Sequence, residues 1–397
     1  MNDFRRSTVG YFNKNNETPH IYAILVGLLF MSGLVLPWLL PNIITQVFKP
    51  LSIYVLITFI LYWRVRLEIK TNQVLAIFSI LCYFAALVGH QVTTSSVIEF
   101  VSTALYMLMF LFTTIVNFKM NDIKFILKCT FYASLVFAII SMVSNPMMGS
   151  DIKRSSMNFL YTNINGNLIP YAILPGFVVG LQVLVYGTTH KKVRVTIALL
   201  IMLYSIFLPA TRGAFLVLLL ILFFTFYEYI KAFVQKKKFF RLLMFTSFLI
   251  VLVNIFEFIL PGSVSGRLLN INSYSDTSGR TMIYSVAWDI ARQNLLLGSG
   301  FSEWSSNYTF AVHNMYLELL VSTGILGTFL VVAIVINSIV IMKNNILYAI
   351  LSISIVESLV ETSGAYTFWI PIILSTIIIN YCKRENCSVK QFYKRFD

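Results

Sequence analysis

The chain has 397 residues, of which 58% are hydrophobic and only 12% charged, and its mean hydropathy is +0.79. A soluble globular domain carries about 25% charged residues, so these figures exclude one and define a polytopic membrane protein. The formal net charge of +14 would suit a nucleic-acid binder, but its placement along the chain argues against that partner.

Residues 1–20 are polar, and the first apolar run, 21–40, has no small-residue cleavage site, so it reads as a signal anchor. Further runs follow at 50–63, 73–92, 98–117, 124–144, 167–186, 195–210, 213–230, 242–260, 314–342, 346–362 and 367–382. The expected fold is thus all-α, with about twelve transmembrane helices in a single integral membrane domain spanning 1–397. The runs at 50–63 and 195–210 fall short of the ~17–25 residues usual for a span. With both termini cytoplasmic, seven of the 30 cations lie outside (Lys49, Lys153, Arg154, Arg212, Arg267, Arg280 and Arg292) and the rest inside. That bias sets the orientation in the cytoplasmic membrane, and it makes the basicity topogenic, with no nucleic-acid partner implied. Cys82 and Cys129 fall in spans, and Cys382 and Cys387 on the cytoplasmic side, so neither a disulfide framework nor a zinc site is expected.

Three connections are long: 145–166 outside, the basic hairpin 231–241 inside, and 261–312, an extracytoplasmic loop between the ninth and tenth spans. A long ordered loop is usually functional, which directs attention to the outer face. Within it, "TSGRTMIYSVAWDIARQNLLLGSGF" opens with Ser278 as a capping candidate. Ile283, Val286, Ala287, Ile290 and Ala291 then recur at helical spacing with Trp288 at the flank. The spacing predicts a short amphipathic helix that stops near Asn294, packed on the bundle or lying among headgroups. Gly298-Ser299-Gly300 is no nucleotide fingerprint, since the third glycine would fall at Glu303 and no strand precedes it.

The chemistry-bearing residues gather at outer helix starts. From Val195 to Tyr227 the only charge is Arg212, which follows Pro209 and Thr211, a plausible N-cap, at the start of the eighth span. Arg280 sits in the first turn of the loop helix, and His313 stands at the outer start of the tenth span in "AVHNMYLELLVSTG". A cation at a helix N-terminus is disfavoured by about 0.3–1 kcal/mol, and an anion bound there would reverse that cost. Repeated three times, the placement suggests a phosphate site. The plainer readings stand beside it: Arg212 snorkelling to headgroups, Arg280 solvated in its loop, His313 an interfacial histidine. Arg292 sits near a helix C-terminus, where a cation is at home. Lys153 and Arg154 suit headgroups, and His90 and His190 suit structural or solvated roles. Glu357 and Glu361 share a face of the eleventh span, and Glu318 lies one turn inside the tenth; intramembrane carboxylates of this kind can relay protons in a transporter. Glu318 could equally orient His313 or a sugar hydroxyl.

Taken in order, "PATRGAFLVLLL", "SGRTMIYSVAWDIARQNLLLGSGF" and "HNMYLELLVSTGILG" resemble the O-antigen ligase and O-antigen polymerase superfamily of bacterial membrane glycosyltransferases. The resemblance covers roughly 205–330. Ala210-Thr211 stand where serines are common, and the first six spans match only in hydropathy. It implies a metal-independent, cofactor-free, inverting enzyme that takes glycan from undecaprenyl diphosphate on the outer side of the membrane. Arg212 and Arg280 would correspond to diphosphate-binding arginines and His313 to an essential histidine that deprotonates the acceptor. Thr211, Asn314 and Glu318 would line the substrate, and Lys153 and Arg154 could meet a second lipid-linked diphosphate. The partners implied are lipid-linked oligosaccharides and membrane lipids, with a flippase and a chain-length regulator nearby. That surplus of outer cations favours polymerisation of surface-polysaccharide repeat units; ligation of finished glycan to a terminal acceptor is the alternative. A repeat-unit exporter or secondary transporter ranks below both, because a transporter would gather polar groups at the midplane.

Overall fold

The computed structural model describes residues 19–39, 71–90, 94–144, 157–159, 162–164, 168–188, 192–209, 211–236, 280–301, 304, 308, 312–360 and 366–395. Among these, helices α1 (Ile21–Leu39), α2 (Thr71–Val88), α3 (Thr94–Ile115) and α4 (Met120–Ser144) come first. A β-hairpin follows, β1 (Met157–Phe159) pairing antiparallel with β2 (Thr162–Ile164). Then come α5 (Leu168–Tyr186), α6 (Lys192–Phe207), α7 (Arg212–Lys236), α8 (Arg280–Ala291), α9 (Met315–Met342), α10 (Asn345–Val360), α11 (Tyr366–Arg384) and α12 (Val389–Lys394). Every expected apolar run coincides with a helix except 50–63 and 242–260, which lie outside the described residues. Five of the described helices are long and apolar enough to cross a membrane: α2, α4, α5, α7 and α9. The hairpin departs from the all-α expectation inside the predicted loop 145–166, where three-residue strands are too short to leave a period-2 signal.

Helix α10 runs opposite to both α7 and α9, as contacts near both of its ends show. Gly213 of α7 lies against Val360 of α10, while Asn345 at the other end of α10 donates to Glu228 of α7 at 3.2 Å. Ser358 of α10 donates to the Tyr316 hydroxyl of α9 at 3.0 Å, and Tyr348 donates to the Ile339 carbonyl at 3.3 Å. Both pairs are therefore antiparallel. The bundle has two distinguishable ends. One carries His20, Lys119, Lys343 and Arg384; the other carries the starts of α5, α7 and α9 and the end of α10.

At the His20 end, the fully buried Asp122 accepts from the His20 backbone N–H (2.8 Å), the Lys119 N–H (2.8 Å) and the Tyr22 hydroxyl (3.2 Å), and pairs with His20 Nδ1 at 2.9 Å. Neither His20 nor Asp122 stands out in the sequence. Arg384 closes the same end, donating Nη2 to the Phe118 carbonyl at 2.6 Å. The axis of the bundle is α5, apolar all round and buried nearly all round, as a helix without a polar face must be. It packs tightly on α4, since a Cβ added at Gly176 would sit 2.3 Å from Ser134 Cβ.

Candidate functional site

At the end opposite His20, α7 begins with Thr211–Arg212–Gly213. The Thr211 carbonyl accepts from Phe215 N–H at 3.1 Å, so Thr211 holds the cap position of the backbone. Its side chain does not cap: Oγ1 is buried and makes no hydrogen bond among the described residues, which corrects the expected N-cap. Arg212 is exposed. A Cβ at Gly213 would lie 2.3 Å from the Tyr171 hydroxyl of α5, so only glycine lets that phenol stand beside the Arg212 turn. Tyr171 was not legible from sequence; it is one hydroxyl in the apolar run "LIPYAILPGF".

The start of α9 is built differently. His313 takes φ +54°, a left-handed conformation that histidine tolerates better than most residues. Asn314 then caps the helix, its Oδ1 accepting from Leu317 N–H at 3.0 Å. The expected substrate residue therefore has a structural duty. Glu318, half-buried in the first turn, lies within electrostatic range of the fully buried Tyr83 of α2.

Helix α8 runs from Arg280 to Ala291 and continues as a 3-10 turn to Asn294, close to the expected stop. Positions 280, 284, 287 and 291 share a face. Ala287 and Ala291 on that face are fully buried in a small cluster with Trp304, Val312 and Val321, flanked by Ile283, Val286 and Ile290. Arg280, the first residue of the helix, lies at the start of that face and is half-buried. Tyr284, one turn on, donates its hydroxyl to the His313 carbonyl at 3.3 Å. Arg292 instead pairs with Asp289 on the exposed side at 2.8 Å.

A second contact locks α8 to α9. Gly324 leaves the helical region at φ +66°, ψ −166°, which breaks α9 although the sequence showed one continuous run. The break would strand the carbonyls of Val321 and Ser322 and the N–H groups of Ile325 and Leu326. The segment after α8 takes up all four. Ser299 N–H donates to Val321 O (2.7 Å) and Gly300 N–H to Ser322 O (3.1 Å); Ile325 N–H donates to Leu295 O (2.9 Å) and Leu326 N–H to Leu296 O (3.4 Å). This is the work of the Gly-Ser-Gly turn. Gly298 (φ +78°) and Gly300 (φ +93°) adopt conformations a side chain resists, and His90, two residues past the end of α2, braces the turn, Nε2 lying 3.1 Å from Gly298 O.

The structure therefore ties α8, the helix that Arg280 begins, to His313 through Tyr284. It brings the Arg212 turn to the same end of the bundle, where α10 touches Gly213 through Val360 and Tyr316 through Ser358. Glu357, one turn below, is buried and accepts from Thr367 Oγ1. Lys153, Arg154, Arg267, Ser278 and Glu361 lie outside the described residues, as does the first part of the loop 261–312. Guanidinium groups at the starts of α7 and α8 and an imidazole just before α9 are groups of the kind that bind an anion at helix N-termini. Comparison with curated proteins returns no match. Residues 197–357, which run from α6 to Glu357 and include Thr211, Arg212, Arg280, His313, Asn314 and Glu318, match the family described as O-antigen ligase. Through that stretch the chain carries a domain of the O-antigen ligase and polymerase superfamily of membrane proteins of polysaccharide biosynthesis.

Proposed function

We propose that the chain transfers glycan from a polyprenyl diphosphate donor to an acceptor hydroxyl at the outer face of the cytoplasmic membrane, and that it polymerises surface-polysaccharide repeat units. In this reading the acceptor oxygen attacks the anomeric carbon, the bond to the diphosphate oxygen breaks, and the configuration inverts. His313 takes the acceptor proton, since imidazole can be neutral near pH 7. Arg212 and Arg280 stabilise the charge that develops on the leaving diphosphate, as guanidinium stays protonated and presents two parallel donors. Thr211 Oγ1, which makes no hydrogen bond among the described residues, would donate to the same group. Lys153 and Arg154 would receive the diphosphate of a second, acceptor lipid. The observation that supports the reading most is the Tyr284–His313 bond, which joins the Arg280 helix to the histidine within the family-matched stretch.

Ligation of finished glycan to a terminal acceptor is the second reading, favoured by the description of the matching family. Deleting the gene separates the two. Polymerisation predicts single repeat units on the carrier or cell surface and loss of the long-chain ladder on gels. Full-length chains held on the carrier, unattached to their anchor, would establish ligation instead. An unchanged ladder with repeat units trapped inside would point to export.

A further inference from the structure

We infer that the turn Leu295–Leu297 inserts into the hydrocarbon of the leaflet at the His313 end of the bundle and anchors the Arg280 helix to the membrane. The three consecutive leucines are 38%, 62% and 59% exposed. Single exposed apolar residues are ordinary, but a contiguous apolar projection needs an apolar environment. Its neighbour supplies the continuity. The Leu295 and Leu296 carbonyls hold Ile325 and Leu326 of α9, which are 45% and 42% exposed, and Phe329 one turn further is 65% exposed. These belong to a helix long and apolar enough to span a membrane, so the leucines extend a lipid-facing surface that the span already presents.

Polarity changes sharply at the turn. Asp289, Arg292, Gln293 and Asn294 are exposed just before it, and the half-exposed Trp288 lies two turns back, where an interfacial tryptophan is favoured. Non-helical backbone survives at membrane depth only when its polar groups are bonded within the protein. Here Leu295 O and Leu296 O accept from α9, Gly298 N–H donates to Asn294 O at 2.7 Å, and Ser299 and Gly300 donate to Val321 and Ser322. The splint that closes the break at Gly324 therefore also prepares this turn for hydrocarbon.

The test is depth, measured without reference to any reaction, so its failure and that of the proposed transfer are separable. Leu296→Cys, Asn294→Cys and Phe329→Cys are each spin-labelled in protein reconstituted into lipid nanodiscs, which expose both faces. The signal of the native thiols, measured on unsubstituted protein, is subtracted. The label at 296 should collide with oxygen several-fold more than with a polar nickel chelate, as at 329, while the label at 294 favours nickel. Nickel-dominated collision at 296 would place the turn in water and overturn the inference. Suppression of both collisions at 296 would mean that protein covers it, a second copy or another chain, and would overturn it equally.

Discussion

The two hydrophobic clusters among the described residues are built on different terms. The larger runs through the bundle around α5, where every residue from Ile169 to Val183 is buried and a Cβ at Gly176 or Gly180 has no room. The smaller holds only Ala287, Ala291, Trp304, Val312 and Val321, and α8 contributes just two buried alanines to it. Yet Arg280 begins the helix that supplies those alanines, and His313 directly follows Val312 of the same cluster. What holds that region is a set of discrete bonds, Tyr284 to His313 and the four that splint Gly324, in place of broad burial. A scaffold secured by packing should fail as a whole, and an appendage secured by a few bonds should fail locally. The two regions should therefore answer mutation differently, one in protein level and one in activity.

The largest effect is expected at the histidine. In the proposed transfer, His313→Ala should lower turnover by about 10²–10⁴-fold while protein level and donor binding stay near the parent's, checked by membrane immunoblot, donor titration and single-turnover assay. Donor affinity lost in proportion to activity would recast His313 as a phosphate ligand. Arg212→Lys and Arg280→Lys should both be impaired, because an ammonium cannot make the two-point contact.

On the scaffold side, Asp122→Ala removes a buried carboxylate that joins His20, Tyr22 and Lys119. It strands those donors where α1 meets α4 and should cost about 3 kcal/mol, read as a fall in melting temperature and protein level with activity per folded molecule retained. Gly324→Ala should show the opposite pattern. Its Cβ would lie 2.4 Å from Leu296 O at a φ of +66°, so the splint must open. Left-handed strain alone costs about 1–2 kcal/mol. Protein should accumulate, activity should fall, and trypsin should cut faster at Arg280 and Arg292. Disappearance of the whole protein would show one cooperative unit and break the comparison.

How legible each region was follows the same division. Hydropathy found the helices of the bundle because membrane-length apolar runs are a strong, local signal. The stripe Ile283–Ala291 found α8 and its packed face for the same reason. What escaped is non-local. The break at Gly324 was invisible because glycine is tolerated in helices, and the carbonyls that make the break affordable lie at Leu295 and Leu296 on another element. The His20–Asp122 pair spans about a hundred positions of sequence. The type and place of Thr211 suggest a cap; its carbonyl fills that role, while its hydroxyl is buried against neighbours that a pattern cannot reveal. Asn314, expected at the substrate, also caps α9.

The smallest effect tests whether the link between the appendage and the histidine matters. Tyr284 bonds to the backbone carbonyl of His313, at 3.3 Å, and so acts by position. Tyr284→Phe keeps the ring and its packing between α8 and α9 and removes one donor. A neutral hydrogen bond contributes about 0.5–1.5 kcal/mol, and at 3.3 Å the lower half of that range applies. If the bond holds His313 in its left-handed turn, turnover should fall about two- to fivefold with donor affinity and protein level unchanged, since 1.36 kcal/mol is tenfold. The pH profile should keep its midpoint, because the imidazole itself is untouched. A purely structural role would instead lower melting temperature and leave turnover per folded molecule at the parent value. Parent turnover together with a parent melting temperature would mean that the splint at Gly324 alone fixes α8, and the two holds on the appendage would reduce to one.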